Sequence, residues 1–253
     1  MRPCNPKMLL AILMVSLASI NIGLSQNTES VKIDTLSIGL DRFMSADRFE
    51  PIAEFLRKEL KIPVKYENFS SLVELSGSHQ KYDFLYSNAF GFAYTQVLDL
   101  PYEAFLARAN AEGKALAYNS CIITKADSEL LDIEQVINEA AELNLSFTYA
   151  SSTSGHIAPR IYLTSQLGAS LENEFKGVEF QSSHEDLINK VVDGTLDVGA
   201  CSCFTLQVEM ADNEAIANNY KILWRSEDIP HAVWVTGPRV DAKMKKKLTK
   251  AFA

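Results

Sequence analysis

The chain has 253 residues, 47% of them hydrophobic and 22% charged, the balance of a well-cored globular protein of one or two domains and not of a disordered chain. Its formal net charge of -8 at pH 7 excludes nucleic acid as a partner, because duplex binding rests on clustered Lys and Arg that neutralise phosphates. An anionic ligand must then be held by local donors, since the field of the whole chain opposes it.

Arg2 and Lys7 precede an apolar run from Met8 to Ile20, and Asn21 to Ser25 offers the small residues of a cleavage site. Residues 1–25 therefore read as a signal peptide. The run is short for a bilayer span and no second long apolar stretch follows, so no membrane span is expected in the mature chain. Lipid anchoring needs a Cys directly after the apolar run, and Cys4 lies before it. The expected location is the periplasm, without a lipid anchor. Cleavage leaves Cys121, Cys201 and Cys203, an odd number for an oxidising compartment, so one thiol stays free unless it pairs between chains.

From Val31 onward, short β-rich runs alternate with helical patterns, which predicts an α/β fold with mainly parallel strand pairing. Thr35 to Leu40 reads as a strand; Phe49, Ile52, Phe55, Leu56 and Leu60 then recur at helical spacing, and Ile62 to Tyr66 is a second strand. A helix over Ser70 to Ser76, a strand at Asp83 to Tyr86 and a helix over Asn88 to Val97 complete one series. A second series has strands at Cys121 to Thr124, Leu145 to Ala150, Val178 to Phe180, Asp197 to Ala200 and Tyr220 to Trp224, with helices between them. No low-complexity linker divides the two, so crossing strands should join them. Val240 to Ala253 reads as a helix whose basic face, around Lys243, Lys245, Lys246 and Lys247, is solvated.

The strand at Leu145 to Ala150 runs into Ser151-Ser152-Thr153-Ser154-Gly155, after which Ile157, Ile161, Leu163 and Leu167 recur at helical intervals and Gly168 ends the helix. Hydroxyls thus sit at a helix N-terminus, where the first N–H groups lack intrahelical partners and the dipole favours negative charge. One Ser or Thr there is an ordinary cap. Four hydroxyls followed by a glycine that admits close approach exceed what a cap requires.

Ser152-Thr153-Ser154-Gly155 with Pro159 and Leu163 resembles the signature of the phosphonate-binding family of periplasmic solute-binding proteins of ABC transporters. Further stretches match in order: Phe49-Glu50-Pro51-Ile52, Tyr82 to Ala89, Tyr118 to Ile123, Ser183-His184-Glu185, Val192 to Asp197, and Ile229-Pro230. The resemblance implies a two-lobed periplasmic-binding-protein fold of type II, with the ligand in a cleft between lobes joined by two hinge strands. Lobe 1 would comprise residues 31–119 plus 224–253, and lobe 2 residues 120–223. Carried over by position, Tyr86 and Tyr118 are cleft-wall aromatics, Ser152, Thr153 and Ser154 oxyanion donors, and His184 a further donor. Ser87 joins them because the strand end at Tyr86 to Asn88 opens a second helix. Glu185 is a candidate acceptor for a protonated ligand oxygen. The expected partners are a small phosphorus oxyanion (phosphonate, phosphite or phosphate) and an ABC permease, with the protein a monomer that needs no cofactor. The family's chains also run further than Ala253.

Two neighbourhoods depart from the family. Where members that take aminoalkyl phosphonates carry acids, this chain reads Cys201-Ser202-Cys203-Phe204 and Pro230-His231-Ala232, so the amine-binding half is missing and a compact ligand is expected. Both cysteine regions should lie near the hinge, which makes a disulfide from Cys121 to Cys201 or to Cys203 the expectation. Cys201-x-Cys203 is not the spacing of structural zinc sites, and no metal is expected. A hydrolase using Ser152 or Ser154 lacks a nucleophile elbow and a third group to orient a histidine, so no catalytic residue is assigned. A sensing module for a membrane receptor is the alternative role for the same fold.

Overall fold

The computed structural model describes residues 33–252, and the expected signal peptide lies outside the described residues. The chain opens with β1 (Leu36–Leu40), α1 (Ala46–Leu60), β2 (Val64–Asn68), α2 (Leu72–Ser78), β3 (Phe84–Ser87), α3 (Ala89–Val97) and β4 (Glu103–Ala107). The short β5 (Ala117–Tyr118) leads into β6 (Ser120–Lys125), α4 (Ile133–Asn138) and β7 (Asn144–Phe147). A π-helical turn over Thr153–Ile157 then continues directly into α5 (Ala158–Leu167), followed by α6 (Leu171–Glu174), β8 (Gly177–Phe180) and α7 (His184–Val192). Last come β9 (Val198–Ser202), α8 (Cys203–Asp212), α9 (Glu214–Ala217), β10 (Tyr220–Arg225), β11 (Ile229–Pro230), β12 (Val233–Thr236) and α10 (Ala242–Phe252).

These strands build two five-stranded sheets, ordered β2-β1-β3-β12-β4 and β10-β6-β9-β7-β8, and the chain crosses between them twice. The crossings are β5 and β11, which pair antiparallel with Ile229 opposite Tyr118 and Pro230 opposite Ala117. The expectation of mainly parallel pairing is corrected. β1 is parallel to β2 and β3, and β7 to β8 and β9, but β12 is antiparallel to β3 and β4, and β6 to β9 and β10. Parallel neighbours need a crossover helix, whereas the strands beside the two crossings enter their sheets from the opposite end. At residue 224, where the second lobe is expected to hand back to the first, Trp224 and Arg225 pair with Ile122 and Cys121 in the second sheet.

The inner strands of both sheets are buried on two faces, which is why they read as nearly continuous apolar runs. Leu36, Ile38 and Leu40 pack on Phe49, Ala53, Leu56 and Leu60, the apolar stripe of α1. Leu85, one residue out of phase, packs on the other side with Leu72, Leu75 and Tyr102. In the second sheet Ile122, Leu145 and Phe147 meet Leu163 of α5, while Cys121 and Ile123 meet Leu187 and Val191 of α7. Cys121 is disulfide-bonded to Cys203 with Cα atoms 5.3 Å apart, so of the two expected pairings this one forms. Cys201 is a buried free thiol, pushed up to about 12 by burial. In α10, Lys243, Lys246 and Lys247 are exposed, and Lys245 forms an ion pair with Glu103 at 2.6 Å. Among the described residues no helix is long and apolar enough to cross a membrane.

Candidate ligand cleft

The C-terminal ends of β1, β3, β7 and β9 meet at one cavity of about 340 Å³ lined from both sheets. Strand ends that face a crevice in an open α/β sheet are natural ligand positions, because the backbone there turns into helix N-termini.

On the second-sheet side, β7 ends at Phe147 rather than Ala150, and Ser152 is the N-cap of the helical run. The Ser152 hydroxyl accepts from Gly155 N–H at 2.9 Å, which leaves its own hydrogen free to turn into the cavity. At the head of the run, the first N–H groups, those of Thr153 and Ser154, have no intrahelical acceptor. Gly155 is required for packing and not for ligand access. A Cβ there would overlap the Thr148 side chain and sit 2.9 Å from His184 Cε1. The Ser154 carbonyl accepts from Ser120 Oγ at 2.5 Å, which fixes this segment to β6.

His184 begins α7 behind its N-cap, Ser183. Its Nδ1 accepts the Ser202 N–H at 3.0 Å, so the neutral ring carries its hydrogen on Nε2, which lies 3.4 Å from Ser152 Oγ. Burial pulls the imidazole down to about 4, against a smaller opposing effect of Glu185. His184 is therefore a neutral donor at Nε2. The Tyr118 and Tyr149 hydroxyls, whose pKa values burial raises, stay protonated and line the same cavity. The arrangement is the reverse of a hydrolytic triad. A backbone N–H meets Nδ1 where a carboxylate would stabilise an imidazolium. His156 is committed elsewhere, with Nδ1 against the Ala150 carbonyl at 2.7 Å and Nε2 accepting from Arg160 Nε at 2.7 Å.

Of the residues singled out in the sequence, Tyr86, Tyr118, Ser152, Thr153, Ser154 and His184 all line the cavity, as does Glu185. Ser87 does not. It is fully buried, with its hydroxyl wedged against Gly91 beside Asp41. Thr153 lines the cavity, but its hydroxyl is already used: it accepts from Phe90 N–H at 3.0 Å and donates to Asn88 Oδ1 at 3.2 Å. Asn88 Nδ2 in turn donates to the Ser151 carbonyl at 3.0 Å. The α3 N-terminus, read from sequence as a second anion site, is thus filled by the opposite wall.

Sequence reasoning missed the first-sheet wall. Arg42, Arg48 and Arg108 line it, with the Arg42 guanidinium 4.7 Å from the centre of the Tyr149 ring. Arg42 and Arg48 lie between the end of β1 and the first turn of α1, and Arg108 directly follows β4. His231 stacks on Tyr118 with ring centroids 4.9 Å apart, at the two crossings. Among the described residues no group of His, Cys, Asp or Glu is arranged to hold a metal ion.

A family model for the periplasmic substrate-binding protein of phosphonate ABC transporters matches residues 44–253. The chain belongs to that family, whose members are extracytoplasmic solute-binding proteins and not enzymes. Among solved structures it is similar to a binding protein component of an ABC phosphonate transporter from Pseudomonas aeruginosa (TM-score 0.72, 21% identity, covering 85% of this chain and 72% of that one). It is also similar to PhnD1 from Prochlorococcus marinus in complex with methylphosphonate (TM-score 0.70, 20% identity, 87% and 84% covered). A third similar structure is a Xanthomonas citri protein bound to ATP (TM-score 0.70, 16% identity, 86% and 82% covered). No curated protein matches the chain. At these identities the structural likenesses carry the fold, that of the type II periplasmic binding proteins.

Proposed function

We propose that the protein captures a phosphonate, or a closely related phosphorus oxyanion, in this cleft and delivers it to the permease of an ABC transporter. One observation carries the reading: Ser152, Ser154 and the Nε2 hydrogen of His184 converge on the cavity where a helical run begins. Neutral donors suit an oxyanion because they bring no competing negative charge and keep their hydrogens across the neutral pH range. Tyr118 and Tyr149 complete this wall, and Tyr86 faces it. Glu185, exposed at the start of α7, accepts from a protonated ligand oxygen, a contact that a fully ionised sulfur oxyanion lacks. Thr153 acts as a latch between the walls and not as a ligand donor.

In this reading β5 and β11 are the hinge, and the elements on either side of them move as two lobes. The protein is exported to the periplasm by residues 1–25, carries no lipid anchor and works as a monomer. The test is thermal unfolding of the mature chain with methylphosphonate, phosphite, phosphate and sulfate. A ligand at 100 times its Kd adds about 2.7 kcal/mol of stability. The expected result is a shift with at least one phosphorus ligand and none with sulfate. No shift with any phosphorus ligand ends the proposal.

A further inference from the structure

The two walls of the cleft differ in charge, and the cavity is larger than a phosphonate head group requires. Its volume of about 340 Å³ has room for many waters. A ligand no bigger than methylphosphonate leaves most of it unfilled. Arg42, Arg48 and Arg108 are among the residues that line it. The chain is acidic, with 32 Asp and Glu against 24 Lys and Arg, so carboxylates are plentiful. Arg57, Arg160 and Arg239 each have an acidic partner, Glu50, Glu172 and Asp83 respectively, while Arg225 on β10, outside the cavity, has none among the described residues. No ion pair joins Arg42, Arg48 or Arg108 to any carboxylate among the described residues. Among the described residues, Glu185 is the one Asp or Glu side chain that lines the cavity. Guanidinium groups offer a planar fork that matches a carboxylate or phosphoryl group two oxygens at a time.

We propose, building on the phosphonate reading above, that the ligand carries a second anionic oxygen group on a short carbon spacer. Its phosphonate sits among Ser152, Ser154 and His184, and its far end among Arg42, Arg48 and Arg108. The guanidinium wall is a specificity device: it rewards a second negative charge and repels an amine. The missing acids near Cys203 and His231 then reflect a pocket of inverted sign at that end and not an empty one.

Isothermal titration of the mature chain in low-salt buffer tests this with methylphosphonate, 2-aminoethylphosphonate, phosphonoacetate, 3-phosphonopropionate and methylenediphosphonate. The two carboxylates and the diphosphonate distinguish a carboxyl from a second phosphoryl terminus. At least one of these three is expected to bind about tenfold or more tightly than methylphosphonate, a difference of about 1.4 kcal/mol, and 2-aminoethylphosphonate is expected to bind more weakly. Arg48→Gln and Arg108→Gln, at exposed positions, are each expected to remove most of the preference, with melting curves confirming the fold. If methylphosphonate or the aminoalkyl ligand binds as tightly as the doubly anionic ones, the inference is overturned while the phosphonate reading stands. A preference that survives both substitutions overturns the assignment to these arginines. If no phosphorus compound binds, both readings fall.

Discussion

The two walls of the cleft are built on opposite plans. The second-sheet wall consists of short neutral donors clamped by backbone contacts: Ser152 by Gly155 N–H, Ser154 by Ser120, and His184 by Ser202 N–H. The first-sheet wall carries long charged side chains that are exposed and, among the described residues, without ion pairs. A rigid neutral site recognises a head group by geometry, because its donors cannot follow a misfit ligand. A flexible cationic site recognises charge with less regard to shape. Together they read one end of a ligand strictly and the other loosely.

The largest expected effect is on the rigidity of the second wall. The Cys121–Cys203 disulfide joins β6 to the first residue of α8, beside the Ser202 that holds His184, and it closes a sequence separation of 82 residues. On the loop-entropy model such a link stabilises the fold by about 4.5 kcal/mol. Cys203→Ser, or full reduction, is expected to lower the urea midpoint accordingly and to weaken ligand binding, with Cys201 remaining as a buried thiol. Unchanged affinity after reduction would show that the clamped geometry of this wall does not need the covalent tie.

The clamped wall was legible in the sequence and the charged one was not, for a physical reason. N-capping and the placing of hydroxyls at a helix start are local events, decided within a few residues of Ser152. Arg42 and Arg48 acquire meaning only through the crossings at β5 and β11, which bring the end of β1 opposite Tyr149. Arg108 follows β4, an edge strand of exposed and half-buried residues (Glu103–Ala107) with little apolar alternation to mark it. β12 is a four-residue strand that pairs with β3 and β4 over separations of about 130 to 150 residues, and no local pattern announces it. The sum of charge misleads in the same way. A net value of -8 averages over the surface and hides a cationic rim. Tyr149, adjacent to the hydroxyl run, was within reach of the same reasoning, since an aromatic at a strand end beside an anion site is a natural wall.

A second contrast is one of protonation, and its effect is about half as large. His184 on the second-sheet wall has a folded pKa of about 4, below its usual 6.5, so the unfolded chain takes up the proton first as pH falls. That lowers stability through the window from 6.5 to 4. Asp41, at the end of β1, is raised by burial from 3.8 to about 6. The folded chain takes up that proton first, so acid stabilises the fold through the window from 6 to 3.8. Between pH 7 and pH 5 the two contribute about -2 and about +1 kcal/mol. Urea melts at both pH values are expected to show a smaller acid loss in His184→Gln than in the parent chain, and a larger one in Asp41→Asn. Equal slopes in all three chains would remove the asymmetry.

The smallest effect concerns the contact that holds the two walls together without any ligand. The Thr153 hydroxyl accepts from Phe90 N–H at the start of α3 and donates to Asn88 Oδ1. Thr153→Val keeps the shape and removes both bonds, at a cost of about 1 kcal/mol to the closed form. If Thr153 is a latch, the ligand-free protein shifts toward an open form, so small-angle scattering records a larger radius of gyration. The apparent affinity for every ligand falls by the same factor, at most about fivefold, because each must now draw from a smaller closed population. A ligand donor behaves differently: its loss leaves the ligand-free form unchanged and penalises ligands according to the contacts each makes. The scattering curve without ligand therefore decides between the roles. An unchanged radius with a ligand-dependent loss of affinity would return Thr153 to the donor set, and the N-terminus of α3 would then be free to serve as a second anion site.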